Sequence, residues 1–283
     1  MPEIAYVNGE FVPLARATLS VDDRGTQYGD GVYEVIRTYG GRLFAADRHF
    51  ARLRRSAAAI LLPEDDERLV AIESIVSDAV ERGGFSESLI YVQFTRGTAP
   101  RGHLWPKGLR PNCVVTVRPF AIDLERERRE GVKVVLAPDL RWGRCDIKSL
   151  NLLPNVLARN EAREKGAFEA VFVDRDGRVT EATTSNVFVV ENGALLTPPL
   201  RPNLLPGVTR SIVLELARSE GVPLREAETT REALLAADEV LLSSTTVEVL
   251  PVVKIGDRPV GDGGPGPVHA RLFAAFRAAA KSA

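Results

Sequence analysis

Cysteine is scarce in this chain: among 283 residues only Cys113 and Cys145 are cysteines. They lie too far apart for a CxxC motif, and two thiols in so long a chain make no disulfide framework, so reduced thiols in a cytoplasm are expected. An excess of one charge is also lacking. Lysine and arginine total 37 against 38 acidic residues, a formal net charge of −1, with both signs interspersed. That excludes the one-sided basic footprint of a nucleic-acid binder and favours a small-molecule or protein partner. No stretch approaches the roughly 18 apolar residues of a membrane span. The N-terminal "MPEIAYVNGEFVPL" lacks a basic segment followed by an apolar run, so a soluble, unprocessed protein is expected. No internal repeat is present. The glycines of "GDGGPGP" (261–267) lack the strand, lysine and helix that would make a phosphate loop, and no metal site is expected.

What is present can bury a substantial core, since 45% of the residues are hydrophobic. The length suggests two domains: a small N-terminal one over 1–120 and a larger one over 125–283 that carries Lys148, joined by a linker at about 119–127 around "PFAIDLERERREG". Runs flanking Asn8-Gly9 and Gly40-Gly41 predict two hairpins. Phe50, Leu53, Ala57 and Ile60 recur at helical spacing and leave the arginines largely on another face. A second helix is predicted over 65–80, then strands in "SLIYVQFTRG" and "NCVVTVRPF" flanking a Pro/Gly-rich loop that holds Arg101 and His103. In the second region "VKVVLAP" is a strand, a helix is predicted near 152–165, and Asp176-Gly177 and Asn192-Gly193 punctuate hairpins. A helix is predicted to start near Thr209, followed by the strand "EVLLSS" and a C-terminal helix.

Lys148 stands in "RCDIKSLNLL". A lysine near a helix is usually a solvated charge, but Ile147, Leu150, Leu152 and Leu153 surround this one with apolar groups, a setting in which an amine becomes a nucleophile suited to Schiff-base chemistry. Such chemistry on amino acids points to pyridoxal phosphate, which needs a lysine, an acid facing the pyridine nitrogen and donors for its phosphate. Glu181 in "VTEATTSNVF" is the candidate acid, although alone it reads equally as a glutamate at a strand end. Gly207, Val208 and Thr209 open a helix whose free N–H groups and dipole suit a phosphate; the alternative is an ordinary capped helix. "SSTT" (243–246) offers hydroxyls, or is simply a turn.

The segments "QYGDGVYEVIRTY", "HFARL", "TRGTAPRGH", "RCDIKSLNLL", "TEATTSNVF", "LLPGVTR" and "SSTTVEVLPV" together resemble, in order and spacing, the class IV aminotransferases, the fold-type IV pyridoxal-phosphate enzymes. The match runs from Tyr6 to about Val253, and within the group it is most similar to the D-amino-acid branch. The resemblance implies an α+β fold with a small N-terminal α/β domain and a larger domain with a β-barrel-like core. It implies Lys148 as the Schiff-base lysine and proton shuttle, Glu181 as partner of the ring nitrogen, and Arg52, Val208, Thr209 and Thr245 as phosphate contacts. Leu205 would pack behind the ring, and Tyr33, Arg101 and His103 would hold the substrate carboxylate. It further implies ping-pong transamination between a D-amino acid and a 2-oxo acid, in a homodimer whose loop carrying Arg101 and His103 serves the other subunit. Pro206 beside Gly207 removes one possible donor, and Thr183-Thr184 stand where related enzymes often carry serines. A branched-chain L-amino-acid aminotransferase and, further off, an aminodeoxychorismate lyase share the fold.

Overall fold

In a computed structural model, residues 3–282 are described; Met1 and Pro2, at the start of the N-terminal stretch quoted above, and Ala283 lie outside them. The chain forms two units, residues up to Ala121 with Ile147–Asn151, and Ile122–Asp146 with Leu152–Ser282.

The first unit is built on a six-stranded sheet. Its strands are β1 (Ile4–Val7), β2 (Glu10–Pro13), β3 (Gly31–Tyr39), β4 (Arg42–Leu43), β5 (Ser88–Thr95) and β6 (Asn112–Pro119), in the order β2-β1-β6-β5-β3-β4. Both predicted hairpins are present, β1 with β2 and β3 with β4. The helices are α1 (Arg24–Tyr28), α2 (Ala46–Ala59), α3 (Glu67–Val70) and α4 (Ile72–Gly83). The helix predicted over 65–80 is thus two, with Asp66 capping the first through the N–H groups of Arg68 and Leu69. Alternate residues of the central strands, Val32 and Ile36, Ile90, Val92 and Phe94, Val115 and Val117, form one core with Phe50 and Leu53 of α2 and Ile72 and Val76 of α4. This is the period-two pattern of a sheet with one face covered by helices.

The second unit opens with α5 (Glu125–Glu130), which occupies the expected linker, and β7 (Val132–Pro138). Then follow α6 (Leu153–Glu164), β8 (Glu169–Val173), β9 (Val179–Ala182), β10 (Asn186–Glu191), β11 (Ala194–Thr197), α7 (Val208–Ser219), β12 (Leu224–Glu226), α8 (Arg231–Ala236), β13 (Glu239–Ser244), β14 (Glu248–Ile255), β15 (Arg258–Pro259) and α9 (Pro267–Ser282). Strand order is β12-β11-β10-β13-β14-β7-β8-β9, with β15 on β14. From β10 to β9 is five steps, roughly 24 Å in a flat sheet. The residues between them, 183–185, reach at most about 14 Å, and Ala182 N–H donates to the Ser185 carbonyl at 2.7 Å. The sheet therefore curls back on itself, as expected for a barrel-like core, around Val134, Val171, Val187, Val189, Leu242 and Leu250.

Among the described residues no helix is long and apolar enough to cross a membrane. Cys113 and Cys145 are buried and free, and burial pushes each thiol up to about 12.

Candidate active site

The segment Ile147–Asn151 was expected within the C-terminal domain but groups with the first unit. The reason is backbone pairing along the start of β3: Tyr33 N–H donates to the Lys148 carbonyl at 2.9 Å, Leu150 N–H to the Gly31 carbonyl at 3.0 Å, and Val32 bridges Ser149. A Cβ on Gly31 would lie 2.6 Å from the Phe94 carbonyl and 2.9 Å from the Leu150 side chain, so glycine is what allows this approach. Lys148 is half-buried. Its N–H donates to the Ser56 hydroxyl at 3.2 Å, and its ammonium lies 4.3 Å from the centre of the Tyr33 ring, which stacks on Tyr91.

One residue beyond Tyr33, Glu34 is wholly buried. Arg52 meets its carboxylate with two nitrogens, at 2.6 and 2.8 Å, and His49 Nδ1 lies 2.8 Å from Oε2. Burial opposes the carboxylate, but the charge and hydrogen bonds of Arg52, with those of His49, prevail and hold Glu34 at about 2. Burial lowers His49, against the pull of Glu34, and the nearby charges of Arg52 and Lys148 lower it further. Arg52 is therefore buried beside the apolar stripe of α2 instead of among the exposed arginines, because Glu34 neutralises it. The loop after β5 carries Arg101 and His103, the first exposed and the second largely so. The Arg101 guanidinium lies 4.8 Å from the Tyr28 ring centre and donates to the Gln27 carbonyl at 3.4 Å; the His103 ring is 5.7 Å from that of Tyr28.

In the second unit, Glu181 sits near the end of β9 with its carboxylate buried. Its Oε2 accepts from the Asn186 amide at 3.2 Å and from Leu205 N–H at 3.1 Å, and Oε1 is paired with Arg141. Arg141 also donates to Asp139 Oδ1 at 2.9 Å and Oδ2 at 2.7 Å and to the Asn203 carbonyl at 3.1 Å. Burial pushes the Glu181 carboxyl up; Arg141 and Leu205 pull against it, while Asp139 adds to the rise. A carboxylate offers about four acceptor sites, so three donors leave one on Oε1. Farther along, Gly207 precedes α7 and no side chain among the described residues caps that helix. A Cβ on Gly207 would fall 2.0 Å from Asn186 Oδ1. Val208 and Thr209 are buried in the first turn, and Thr245 is half-buried just past β13. The neighbouring Ser243 hydroxyl is buried with no hydrogen-bond partner among the described residues.

Residues 31–255 match the family model for amino-transferase class IV. The chain belongs to the class IV aminotransferases. This aminotransferase is 44% identical to the D-alanine aminotransferase of Bacillus licheniformis over 95% of its own length and 94% of the relative's. It is 41% identical to the D-alanine aminotransferase of Staphylococcus haemolyticus over 96% and 95%. Among solved structures it superposes on the branched-chain amino acid aminotransferase of Escherichia coli with a TM-score of 0.93 at 28% identity, covering 98% of this chain and 94% of that one. A second solved branched-chain amino acid aminotransferase, with pyridoxamine 5'-phosphate, gives 0.89 at 28% identity, over 100% and 95%.

Of the residues expected from the sequence of this aminotransferase, Lys148, Tyr33, Arg52, Arg101 and His103 lie in the first unit and Glu181, Leu205, Val208, Thr209 and Thr245 in the second. Lys148 touches Tyr33, Glu181 touches the Leu205 backbone, and Arg101 and His103 share Tyr28. Reasoning from the sequence missed Glu34, His49, Arg141 and Asn186. Glu34 did carry a signal, since it occupies the same phase of β3 as the buried Val32 and Ile36, where an acid needs a partner. Arg141 and Asn186 carried none, because their importance rests on which side chains the curled sheet brings to Glu181.

Proposed function

We propose that this aminotransferase exchanges the amino group of a D-amino acid of the D-alanine or D-glutamate type with a 2-oxo acid such as pyruvate or 2-oxoglutarate, using pyridoxal 5'-phosphate, in a cytoplasmic homodimer with composite sites. The observation that carries this reading is the 44% identity to a D-alanine aminotransferase along nearly the whole of both chains. The branched-chain L-amino-acid reading is favoured by the 0.93 fold match. A shared fold, however, does not report which substrate its pocket takes.

The donor set fits such a cofactor. An uncapped helix start behind Gly207 and the Thr209 hydroxyl suit a phosphate. A buried glutamate with one acceptor site left suits a ring N–H. When bound, pyridoxal phosphate supplies the carbonyl that takes up the amino group and the electron-poor ring that draws charge from Cα. Lys148 would hold the cofactor covalently and would serve as general base and acid for the substrate Cα proton. Glu181 would keep the ring nitrogen protonated, and Arg141, Asn186 and the Leu205 N–H hold its carboxylate still. The Leu205 side chain would pack against the ring. Arg52, Val208, Thr209 and Thr245 would bind the phosphate. Arg101, His103 and the Tyr33 hydroxyl take the substrate carboxylate, which Arg grips best because its fork can engage both oxygens. One lysine serves both half-reactions, so the first product leaves before the second substrate binds and the kinetics are ping-pong.

The deciding experiment presents the holoenzyme with D-alanine and with L-leucine in the absence of any 2-oxo acid and follows cofactor absorbance. Fast conversion with D-alanine alone is expected; conversion with L-leucine alone would establish the branched-chain reading. Composite sites are tested by exchanging subunits between Lys148→Ala and Arg101→Ala proteins, each inactive alone. Activity should return in the mixture, and its absence despite verified exchange would place Arg101 at its own subunit's site.

A further inference from the structure

The loop that carries Arg101 and His103 is exposed at its side chains but tied down beneath them. Arg24, in the first turn of α1 and 3% exposed, donates through Nη1 to the Gly102 carbonyl at 2.7 Å and through Nη2 to the His103 carbonyl at 3.3 Å. Its Nε is paired with Asp30 at 2.9 Å. Asp30 is shared with Arg96, whose Nε lies 2.9 Å from the same oxygen and whose two terminal nitrogens donate to the Ile60 and Leu61 carbonyls at the end of α2. The Arg96 guanidinium lies 4.0 Å from the centre of the Trp105 ring. Tyr28 completes the arrangement, with the guanidinium carbons of both Arg24 and Arg101 at 4.8 Å from its ring centre.

The geometry points to Arg24 as a positioning residue for recognition of the substrate carboxylate. It never touches substrate. It fixes the backbone between Arg101 and His103, and with Tyr28 it holds the Arg101 fork in place before a ligand arrives. Two carbonyls aimed at one buried guanidinium fix the loop backbone at Gly102 and His103, next to the two gripping side chains. A clamp ordered in advance loses little freedom when it closes on a carboxylate, and that lowers the cost of binding without altering the chemistry that follows. This inference rests on the assignment of Arg101 and His103 to the carboxylate, and the test separates the two claims.

In the Arg24→Met holoenzyme Asp30 keeps Arg96 as its partner, so no unpaired buried charge is created. Propionate, a carboxylate without an amino group, is titrated against the cofactor spectrum. Its dissociation constant should rise roughly tenfold, the scale of one charge-assisted hydrogen bond, and KM for D-alanine should rise with it while kcat stays within about twofold. Amide exchange of 100–105 should quicken while that of β3 and β5 is unchanged. Arg24→Lys, which keeps the charge but not the fork, should fall between the two proteins. Unchanged propionate affinity, or a fall in kcat at constant KM, overturns the proposal. Should Arg24→Met fail to retain cofactor, Tyr28→Leu removes the ring under Arg101 with the Arg24 bonds intact and is judged by the same readings. Arg101→Ala is the reference. If it leaves propionate binding unchanged, the carboxylate assignment falls and the brace with it; if it weakens binding while Arg24→Met and Tyr28→Leu do not, only the brace falls.

Discussion

Glu34 and Glu181 are both buried carboxylates beside an arginine, one in each unit, yet burial wins at one and loses at the other. Glu34 receives two nitrogens of Arg52 and the ring of His49, and is held at about 2. Glu181 receives one contact from Arg141, whose charge is divided with Asp139, together with a neutral amide and a backbone N–H, and it is raised. The difference lies in the donors: an acid met by two nitrogens of an arginine and by a histidine is a fixed counter-ion, whereas an acid met by one nitrogen of an arginine that also serves Asp139 keeps an affinity for a proton. The first serves a scaffold under Lys148 and Tyr33. The second suits a group that must share a proton with a ligand.

Removing the fixed ion should cost most. Glu34→Leu removes the carboxylate that Arg52 meets with two nitrogens in the interior and should destabilise the protein by about 3–5 kcal/mol, read as a lower urea midpoint; a loss under about 1 kcal/mol would make the pair dispensable. The pH dependence sharpens the contrast. Because the folded carboxyl of Glu34 lies below its ordinary 4.5, at about 2, its contribution is complete above pH 4.5 and is lost as pH falls toward 2, on the order of 3 kcal/mol. Glu181, raised in the folded state, acts with the opposite sign: its contribution is present in acid and is lost as pH rises through its folded value. Urea unfolding between about pH 5 and pH 3 should therefore be markedly less pH-dependent in Glu34→Gln than in the parent.

Glu181→Gln should leave the fold and cofactor retention nearly intact but lower kcat by roughly a hundredfold, about 2.7 kcal/mol, since an amide cannot keep the ring nitrogen charged; unchanged turnover would remove Glu181 from the reaction. The smallest expected change in activity is that of Arg141→Met, which removes the guanidinium that Asp139 and Glu181 share. Without that guanidinium the Glu181 carboxyl rises further, so the acid limb of kcat/KM should move to higher pH, and a limb that stays in place would show that Arg141 has no electrostatic hold on the acid.

Much of this was legible in the sequence because local rules decide it. Asn8-Gly9 and Asn192-Gly193 turn where their chemistry requires, and the alternation in β5 and β6 gives their buried faces directly. Lys148 and Glu181 stand out as candidates because each lies in a contiguous motif, "RCDIKSLNLL" and "TEATTSNVF". What escaped notice depends on contacts distant in sequence. Glu34 is 18 residues from Arg52 and Arg141 is 40 from Glu181, and no propensity links such pairs. The same holds for Lys148, expected ahead of a helix within the second domain, where only its pairing with β3 reveals which unit it joins.

That pairing bears on how the chain can be cut and made. Neither unit is one continuous piece of sequence, because Ile147–Asn151 completes the first after a detour of 25 residues, 122–146, through the second. A fragment stopping at residue 121 would leave the Gly31 carbonyl and the Tyr33 N–H, on the free side of β3, without the partners that Leu150 and Lys148 supply, an open strand edge of the kind that draws chains into aggregates. During synthesis the same edge stays open until the segment after residue 146 has left the ribosome. Lys148 is thus among the last parts to join the N-terminal unit, and the chain gains it only after the strand that will hold it has been made.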